Sequence, residues 1–388
     1  MEKVALLNCT EYDVEQIEKK LREGFELLGG AAFLRELIPL NSKVLLKPNF
    51  LSAAEKGSPI ITHYAVFEAV VRIVKEYSDN ISFGDSPGQD DTLKAAEKSG
   101  IMEVAQKYGV KFEDFNKDSV HCELKKPLMY KYWNVAKAAY EADVIITLPK
   151  LKTHAMMYYT GAVKNQFGCV PGGQKAEWHT KLPDSESFGK MLLDLNTVVK
   201  TSFAILDGIV AMEGNGPRNG TPKQMNTLIM GKSLTAVDST AVRLIGYEDV
   251  LAVPILKVAQ QTSWGTVLPQ EIEVLGESIR DMKCNDFKLS RNAKVINFLT
   301  PGLTKLVSSL TAPDPVLVEE KCIGCRKCDE ACPEKSKVIT FVKRNSRSVP
   351  EWNYSKCIRC FCCQELCPKG AIVTRDKALS RLLGLNKR

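Results

Sequence analysis

The chain has 388 residues, 44% hydrophobic and 26% charged, with 53 Lys and Arg against 46 Asp and Glu, a formal charge of +7. This is an ordinary globular composition, long enough for two domains. It holds no run of about 18 apolar residues, so no spanning helix is expected, and no basic tract or aromatic-interleaved repeat of a nucleic-acid binder. The first residues, MEKVALLNCTEYD, carry acids early and lack a signal peptide's apolar core, so the expectation is a buried strand in a cytoplasmic protein. The modest positive charge favours an acidic redox partner or an anionic substrate by steering.

Residues 1–290 predict an α/β domain, because short apolar or β-branched runs alternate with amphipathic helical stretches. Expected strands are Val4–Asn8, Lys43–Lys47, Ile81–Gly84, Val144–Leu148, Ala204–Val210, Asn226–Gly231 and Glu271–Leu275. Expected helices include Val14–Gly29, Tyr64–Tyr77, Thr92–Tyr108, Asp184–Val199 and Ser233–Ile245. Most of the sheet is expected to be parallel, and ligands of such sheets gather at the carboxyl ends of the strands. The turns there are therefore the places to look.

The first turn, Leu45-Leu46-Lys47-Pro48-Asn49-Phe50, offers Lys47 and Asn49 as substrate-binding candidates or as a solvated loop. The second, Phe83-Gly84-Asp85-Ser86-Pro87-Gly88, offers Asp85 and Ser86 as site residues or as caps of the following helix. The third is the richest. Leu148-Pro149-Lys150-Leu151-Lys152-Thr153-His154 reads as a turn after a strand, and Thr160–Gly168 adds Lys164 and Asn165. Lys150, Lys152 and Lys164 together would hold a carboxylate or phosphate, with Thr153 nearby. His154 is the acid–base candidate, since an unperturbed imidazole titrates near neutrality; a satisfied interior histidine is the alternative.

A glycine-rich loop, Met212–Gly220, follows the strand at Ala204 and contributes Glu213 as a further binding candidate. It matches neither G-x-x-x-x-G-K-[ST] nor G-x-G-x-x-G, so it reads as a site wall or lid, not a nucleotide loop. Asp194, Asp207 and Asp238 are candidate acids, with Asp238 expected to cap a helix; His63 reads as a cap or pocket residue. No paired-histidine metal spacing occurs in this half.

Residues 291–316 predict a linker with an amphipathic packing stretch, Ala293–Thr311, broken at Pro301-Gly302 and followed by a stiff Ala312–Pro315 connector. Residues 317–388 carry two cysteine runs and a basic helical tail. The runs are Cys322-Ile-Gly-Cys325-Arg-Lys-Cys328-Asp-Glu-Ala-Cys332-Pro333 and Cys357-Ile-Arg-Cys360-Phe-Cys362-Cys363-Gln-Glu-Leu-Cys367-Pro368. Both fit C-x2-C-x2-C-x3-C-P, in which the fourth cysteine ligates the other cluster. The spacing predicts two 4Fe–4S clusters, one on Cys322, Cys325, Cys328 and Cys367, the other on Cys357, Cys360, Cys363 and Cys332. Cys362 is left out, because using it would spoil both the x2 and the x3 spacing. Structural zinc favours separated cysteine pairs, and a disulfide scaffold favours a short secreted chain. The segment resembles the bacterial two-cluster ferredoxins, giving a ferredoxin-like α+β domain after the α/β domain.

The strings LLKPNF, FGDSPG, LPKLKTH, TGAVKNQFG, ILDGIVAMEGNGP and AVDSTAVRLIGYE, taken together and in order, resemble the family catalogued as domain of unknown function 362. The resemblance covers roughly residues 40–260 and implies a redox association, without a substrate. The leading expectation is an oxidoreductase passing electrons through two 4Fe–4S clusters to a small anionic substrate in the α/β domain. A ferredoxin-type carrier whose large domain docks a partner enzyme, and a non-redox enzyme with structural or sensing clusters, are the alternatives. A redox partner protein is expected. No flavin motif is present, although a flavin site without a fingerprint stays open, and nothing fixes an oligomeric state.

Overall fold

The computed structural model describes the chain except residues 89, 173–174, 176–177, 179–181, 183, 291–312, 333, 335–337, 345–346, 376 and 378–388. The strands of the larger unit are β1 (Glu2–Asn8), β2 (Val44–Lys47), β3 (Ile81–Asp85), β4 (Lys111–Asp114), β5 (Ser119–Glu123), β6 (Tyr132–Ala136), β7 (Val144–Thr147), β8 (Lys150–His154), β9 (Tyr158–Thr160), β10 (Phe203–Glu213), β11 (Thr221–Gly231) and β12 (Ile272–Gly276). Ten of them share one sheet in the order β12-β1-β11-β10-β7-β2-β3-β4, with β8 added to β10 and β9 to β8. From β10 to β4 every neighbour is parallel. β11 runs antiparallel to both β1 and β10, so the sheet is mixed but mostly parallel. β5 and β6 form a separate hairpin.

Side-chain alternation along the strands builds two cores. Val4, Leu6, Leu45, Ile145, Ala204 and Leu206 point to one face and pack with the helices Ser185–Val199, Leu234–Leu244 and Pro254–Gln261. Their neighbours Ala5, Leu7, Val44, Leu46, Val144, Ile146, Phe203 and Ile205 point to the other face, against Val14–Leu28 and Tyr64–Val74. β2 and β7 are buried at every position. That explains why they read as continuous apolar runs and not as alternating ones. Each such Leu or Ile contributes about 1.5–3 kcal/mol by leaving water.

Several expectations are corrected. Thr92–Tyr108 is two helices, Thr92–Lys98 and Ile101–Tyr108, because Gly100 sits between them at φ +79. Lys150–His154 is not a turn but β8, buried along its whole length. Asp238 does not start its helix; Ser233 is that cap. Asp238 lies inside the helix and accepts from Ala162 and Val163 N–H and the Tyr159 hydroxyl, so it caps a different one, Ala162–Asn165. The Asp314 and Pro315 end of the connector is a strand. The stretch Ala293–Thr311 and most of the basic tail lie outside the described residues.

The smaller unit has strands β13 (Asp314–Leu317), β14 (Ile339–Arg344), β15 (Arg347–Trp352) and β16 (Ile372–Arg375). β13 pairs with β16 and β14 with β15, both antiparallel. Each cysteine run ends in one short helix, Lys327–Glu330 and Cys362–Glu365. The two runs also repeat their backbone. The third and fifth residues of each, Gly324 and Arg326 in one and Arg359 and Phe361 in the other, all have φ between +57 and +69. Three non-glycine residues in this sparsely populated region mark a loop shaped for a purpose.

Candidate functional site

The thiols assemble across the two runs. Cys322, Cys325 and Cys328 line one small cavity together with Cys367 from the second run. Cys332 of the first run neighbours Cys357 and Cys360; burial first, then these two, push its thiol up to about 11. Cys363 feels Cys360 and Cys357 in the same way. Thiolate donors spaced around a cavity fit an iron–sulfur cluster. No three Cys, His, Asp or Glu groups among the described residues converge closely enough for a single metal ion.

A second cavity, of about 130 Å³, lies where the two units meet. The larger unit supplies Asn49, Asp85, Ser86, Lys152, Thr160, Lys164, Asn165, Phe167, Gly168 and Lys175. The smaller unit closes it with Ala331, Cys362, Glu365 and Leu366. Ala331 precedes Cys332, and Cys362 separates Cys360 from Cys363, so this wall is the second thiol quartet's own loop.

Parallel neighbours β2, β3 and β7 end side by side, and that places their carboxyl-terminal turns together. Lys47 Nζ is 2.9 Å from Asp85 Oδ1, both buried. Asp85 also accepts from Phe50 N–H at 2.5 Å and Ser86 N–H at 2.8 Å. Lys152 donates to Asn49 Oδ1 at 2.6 Å and to the Ile60 carbonyl at 2.7 Å. Asn49 in turn donates to Asn165 Oδ1, and Asn165 to Thr147 Oγ1. Lys175 donates to the Ser86 carbonyl, and the Ser86 hydroxyl to Asn116. Only Gly fits at position 168: a Cβ there would lie 1.8 Å from Asp85 Oδ1 and 2.6 Å from Lys47 Nζ.

The electrostatics are one-sided. Among the described residues around the cavity, Lys152, Lys164, Lys175 and the adjoining Lys47 face two carboxylates, Asp85 and Glu365. Burial holds Lys152 well below the usual lysine range, and Lys164 and Lys150 push it the same way. Burial also lowers Lys164, against the pull of Glu365 and Cys362. Lys175 falls to about 7, again by burial, with Asp85 opposing and Lys47 assisting. Neither Lys152 nor Lys164 has a carboxylate at ion-pair distance among the described residues; Lys164 Nζ sits 5.8 Å from the Phe167 ring centre. An anion entering the cavity would supply the missing counter-charge.

The structure thus brings Asn49, Asp85, Ser86, Lys152, Lys164 and Asn165 to one lining, with Lys47 behind Asp85. It places others elsewhere. Lys150 is buried in a separate network, 2.8 Å from Asp207 and 2.6 Å from the Tyr12 hydroxyl, where His63 stacks on Tyr12 and caps its helix. Thr153 accepts from Gly216 N–H. Glu213 accepts from the Thr221 hydroxyl and from Lys288 N–H. Asp194 accepts from Leu128, Met129 and Tyr130 N–H. His154 does not line the cavity. Its Nδ1 accepts from Met156 and Met157 N–H, which leaves the ring proton on Nε2, 3.0 Å from Glu365 Oε1. Burial first, then Lys164, lower this imidazole's proton affinity, against Glu365.

The lining residues that were not site candidates include Lys175, Phe167, Cys362 and Glu365. No local pattern marks Lys175, whereas Phe167 lies inside the TGAVKNQFG string. Cys362 was visible as an extra thiol, but only the meeting of the units makes it a cavity wall.

Residues 44–243 match the family described as Domain of unknown function (DUF362), and residues 314–368 match a 4Fe-4S dicluster domain. The chain belongs to the first family and carries the second fused behind it, as an iron–sulfur protein. It is 35% identical over 236 residues to a thylakoid-associated protein of Synechocystis sp., covering 61% of this chain and 72% of that one. Among solved structures, the lactate racemase apoprotein from Thermoanaerobacterium thermosaccharolyticum matches at TM-score 0.38 and 12% identity, over 55% of this chain and 51% of the other. A protein from Thermotoga maritima matches at TM-score 0.37 and 13% identity, over 53% of each chain. The chain thus spans about half the length of each of these two structures. Among the described residues no helix is long and apolar enough to cross a membrane.

Proposed function

We propose that this member of the DUF362 family is an oxidoreductase in which two 4Fe–4S clusters feed electrons to a small anionic substrate held in the cavity between its units. Cys322, Cys325, Cys328 and Cys367 would hold one cluster, and Cys332, Cys357, Cys360 and Cys363 the other. When bound, the clusters supply one-electron transfer. The observation that carries the reading is the cavity's two walls: lysines on one side, the second thiol quartet's loop on the other.

Lys152, Lys164 and Lys175 bind and orient the anion through charge-assisted hydrogen bonds. The Asn49–Asn165 relay fixes the Lys152 ammonium, and the Lys47–Asp85 pair stiffens the floor. The volume, well below the 300–1,000 Å³ of drug-sized sites, suits a small metabolite. Reduction of a substrate consumes protons as well as electrons. Lys175 Nζ, titrating at about 7, is suited to hold one at neutral pH. His154 keeps Glu365 turned toward the same space.

Protein purified without oxygen and titrated with dithionite is expected to carry about eight irons and take up about two electrons. Reduced protein is then mixed with small 2-oxo and unsaturated carboxylates while its visible absorbance is followed, with released flavin assayed in parallel. Reoxidation by an anionic acceptor that is lost in Lys152→Met supports the reading. Iron near four per chain in fully loaded protein, or reoxidation indifferent to Lys152, would sink it.

A further inference from the structure

The two thiol quartets differ in what surrounds them. Cys332, Cys360 and Cys363 are buried, with Cys357 half-buried, and their loop faces the internal cavity. In the other quartet Cys322, Cys328 and Cys367 are equally buried, and the fourth thiol opens to solvent. Cys325 is exposed, and beside it Ile323 is 56% exposed, the one large apolar side chain so exposed among the described residues of the smaller unit. Among the described residues, the charged ones lining the space around Cys322, Cys325, Cys328 and Cys367 are Arg326 and Lys369, with no carboxylate. Arg326 lies over the Phe341 ring at 4.7 Å, and Arg347 donates to the Cys322 carbonyl at 3.2 Å. Lys321 and Lys327 are exposed in the same run. The acids nearby include Glu319, drawn 3.4 Å from Arg344, the half-buried Asp329, and the exposed Glu320 and Glu330.

An exposed apolar tip within a cationic rim, over a redox group, has the anatomy of a small transient electron-transfer interface. We propose that this face docks an acidic one-electron carrier protein, so that electrons enter at the Cys322/Cys325/Cys328/Cys367 quartet and leave toward the cavity from the other. The inference rests on the oxidoreductase reading and adds the partner's charge and the order of the two quartets. Each encounter moves one electron: the carrier is oxidised by one and this chain reduced by one, with no bond made or broken. Two encounters supply a pair. The positive rim steers a carboxylate-rich surface and sets the encounter rate more than the affinity.

The test uses the iron-loaded full chain and, as probe, a reduced plant-type ferredoxin of strongly acidic composition, in stopped flow without oxygen. The second-order reduction rate is expected to fall about tenfold or more between low and high salt. Arg326→Glu with Lys369→Glu is expected to lower it about tenfold at low salt. Iron content, and reduction by a small neutral photoreductant, stay unchanged, and Arg326→Lys stays close to the parent. A rate indifferent to salt and to charge reversal would overturn the inference while leaving the cavity reading intact. So would binding of the face to vesicles of anionic lipid with no response to the ferredoxin. Failure of the small reductant itself would remove the electron-transfer reading and this inference with it.

Discussion

Two buried lysines of the same region are expected to behave oppositely when their charge is removed. Lys47 Nζ sits 2.9 Å from Asp85 Oδ1 with both side chains out of water. Lys47→Met leaves a buried carboxylate without its counter-ion, and breaking such a pair costs about 3–5 kcal/mol. Phe50 and Ser86 N–H still reach Asp85, which argues for the lower end, about 3 kcal/mol. Among the described residues Lys152 has no carboxylate at ion-pair distance and donates to Asn49 Oδ1 and the Ile60 carbonyl. Lys152→Met orphans two acceptors, at about 1–3 kcal/mol each. It also relieves the cost of a buried cation, itself several kcal/mol. The two nearly cancel, so the expected change is under about 1.5 kcal/mol. Binding tells the other half. A charge-assisted bond to an anion is worth about 1.5–3 kcal/mol, so Lys152→Met is expected to weaken inorganic phosphate or oxalate by roughly 10- to 150-fold. Urea unfolding of the iron-loaded protein, followed by far-ultraviolet circular dichroism, gives the first number, and calorimetric titration gives the second. Equal destabilisation by the two variants, or unchanged anion binding in Lys152→Met, would refute the division into a structural lysine and a ligand-seeking one.

Lys175 sets a pH dependence. Its folded value of about 7 lies below the unfolded one, near 10.4, so between these the unfolded chain holds the extra proton. Its destabilising effect is therefore full below about pH 7 and fades as pH rises toward about 10.4. Subtracting the urea midpoints of Lys175→Met from the parent across this range isolates the slope. Anion affinity, which needs the ammonium, is expected to run the other way and fall above about pH 7, a trend calorimetry at several pH values would show or deny. Gly168→Ala, whose methyl would meet Asp85 Oδ1 at 1.8 Å, is expected to cost about 1–3 kcal/mol in the same urea assay by prising the Lys47–Asp85 pair. Finally, Cys367→Ser and Cys325→Ser are expected to leave the same residual electron paramagnetic resonance signal and about four irons. Cys332→Ser and Cys357→Ser are expected to share the complementary signal. A Cys367→Ser spectrum matching Cys357→Ser would mean that ligation does not cross between the runs.

How much of this was legible depends on distance along the chain. Apolar runs such as VLLK and VIIT announce buried parallel strands, and their turns converge because parallel neighbours end together. What failed was local geometry set by remote partners. Lys150 and Lys152 are two residues apart on β8, yet the register on β10 jumps from Lys150↔Asp207 to Lys152↔Met212. One lysine therefore meets a carboxylate and the other a cavity, and no periodicity states that. Asp238 looked like its own helix's cap, but its carboxylate serves N–H groups more than seventy residues earlier. His154 looked like an acid–base group, but two backbone N–H groups occupy its Nδ1, and its Nε2 lies 3.0 Å from Glu365 Oε1, away from the cavity lining. The cysteine runs were legible as a 4Fe-4S dicluster domain because their spacing is local: at least four cysteines and a proline within twelve residues.

The join between the units explains why neither sequence half describes the site alone. Gln364, inside the second run's short helix, donates to Asn215 Oδ1 at 2.8 Å, and Asn219 donates back to the Gln364 carbonyl at 2.9 Å. The glycine-rich loop that matched no phosphate motif is thus a docking loop for the iron–sulfur unit. These are polar contacts, each worth about 1 kcal/mol net, so they specify orientation more than they add stability. Orientation is what the proposed chemistry needs. A buried lysine cluster is costly in the resting protein, and burial answers by lowering the lysines' proton affinity. An arriving anion, or negative charge delivered through the opposite wall, raises that affinity again. Charge arriving at this cavity would therefore draw protons to the atoms beside the substrate, which couples anion binding, electron delivery and proton supply through Coulombic interaction alone.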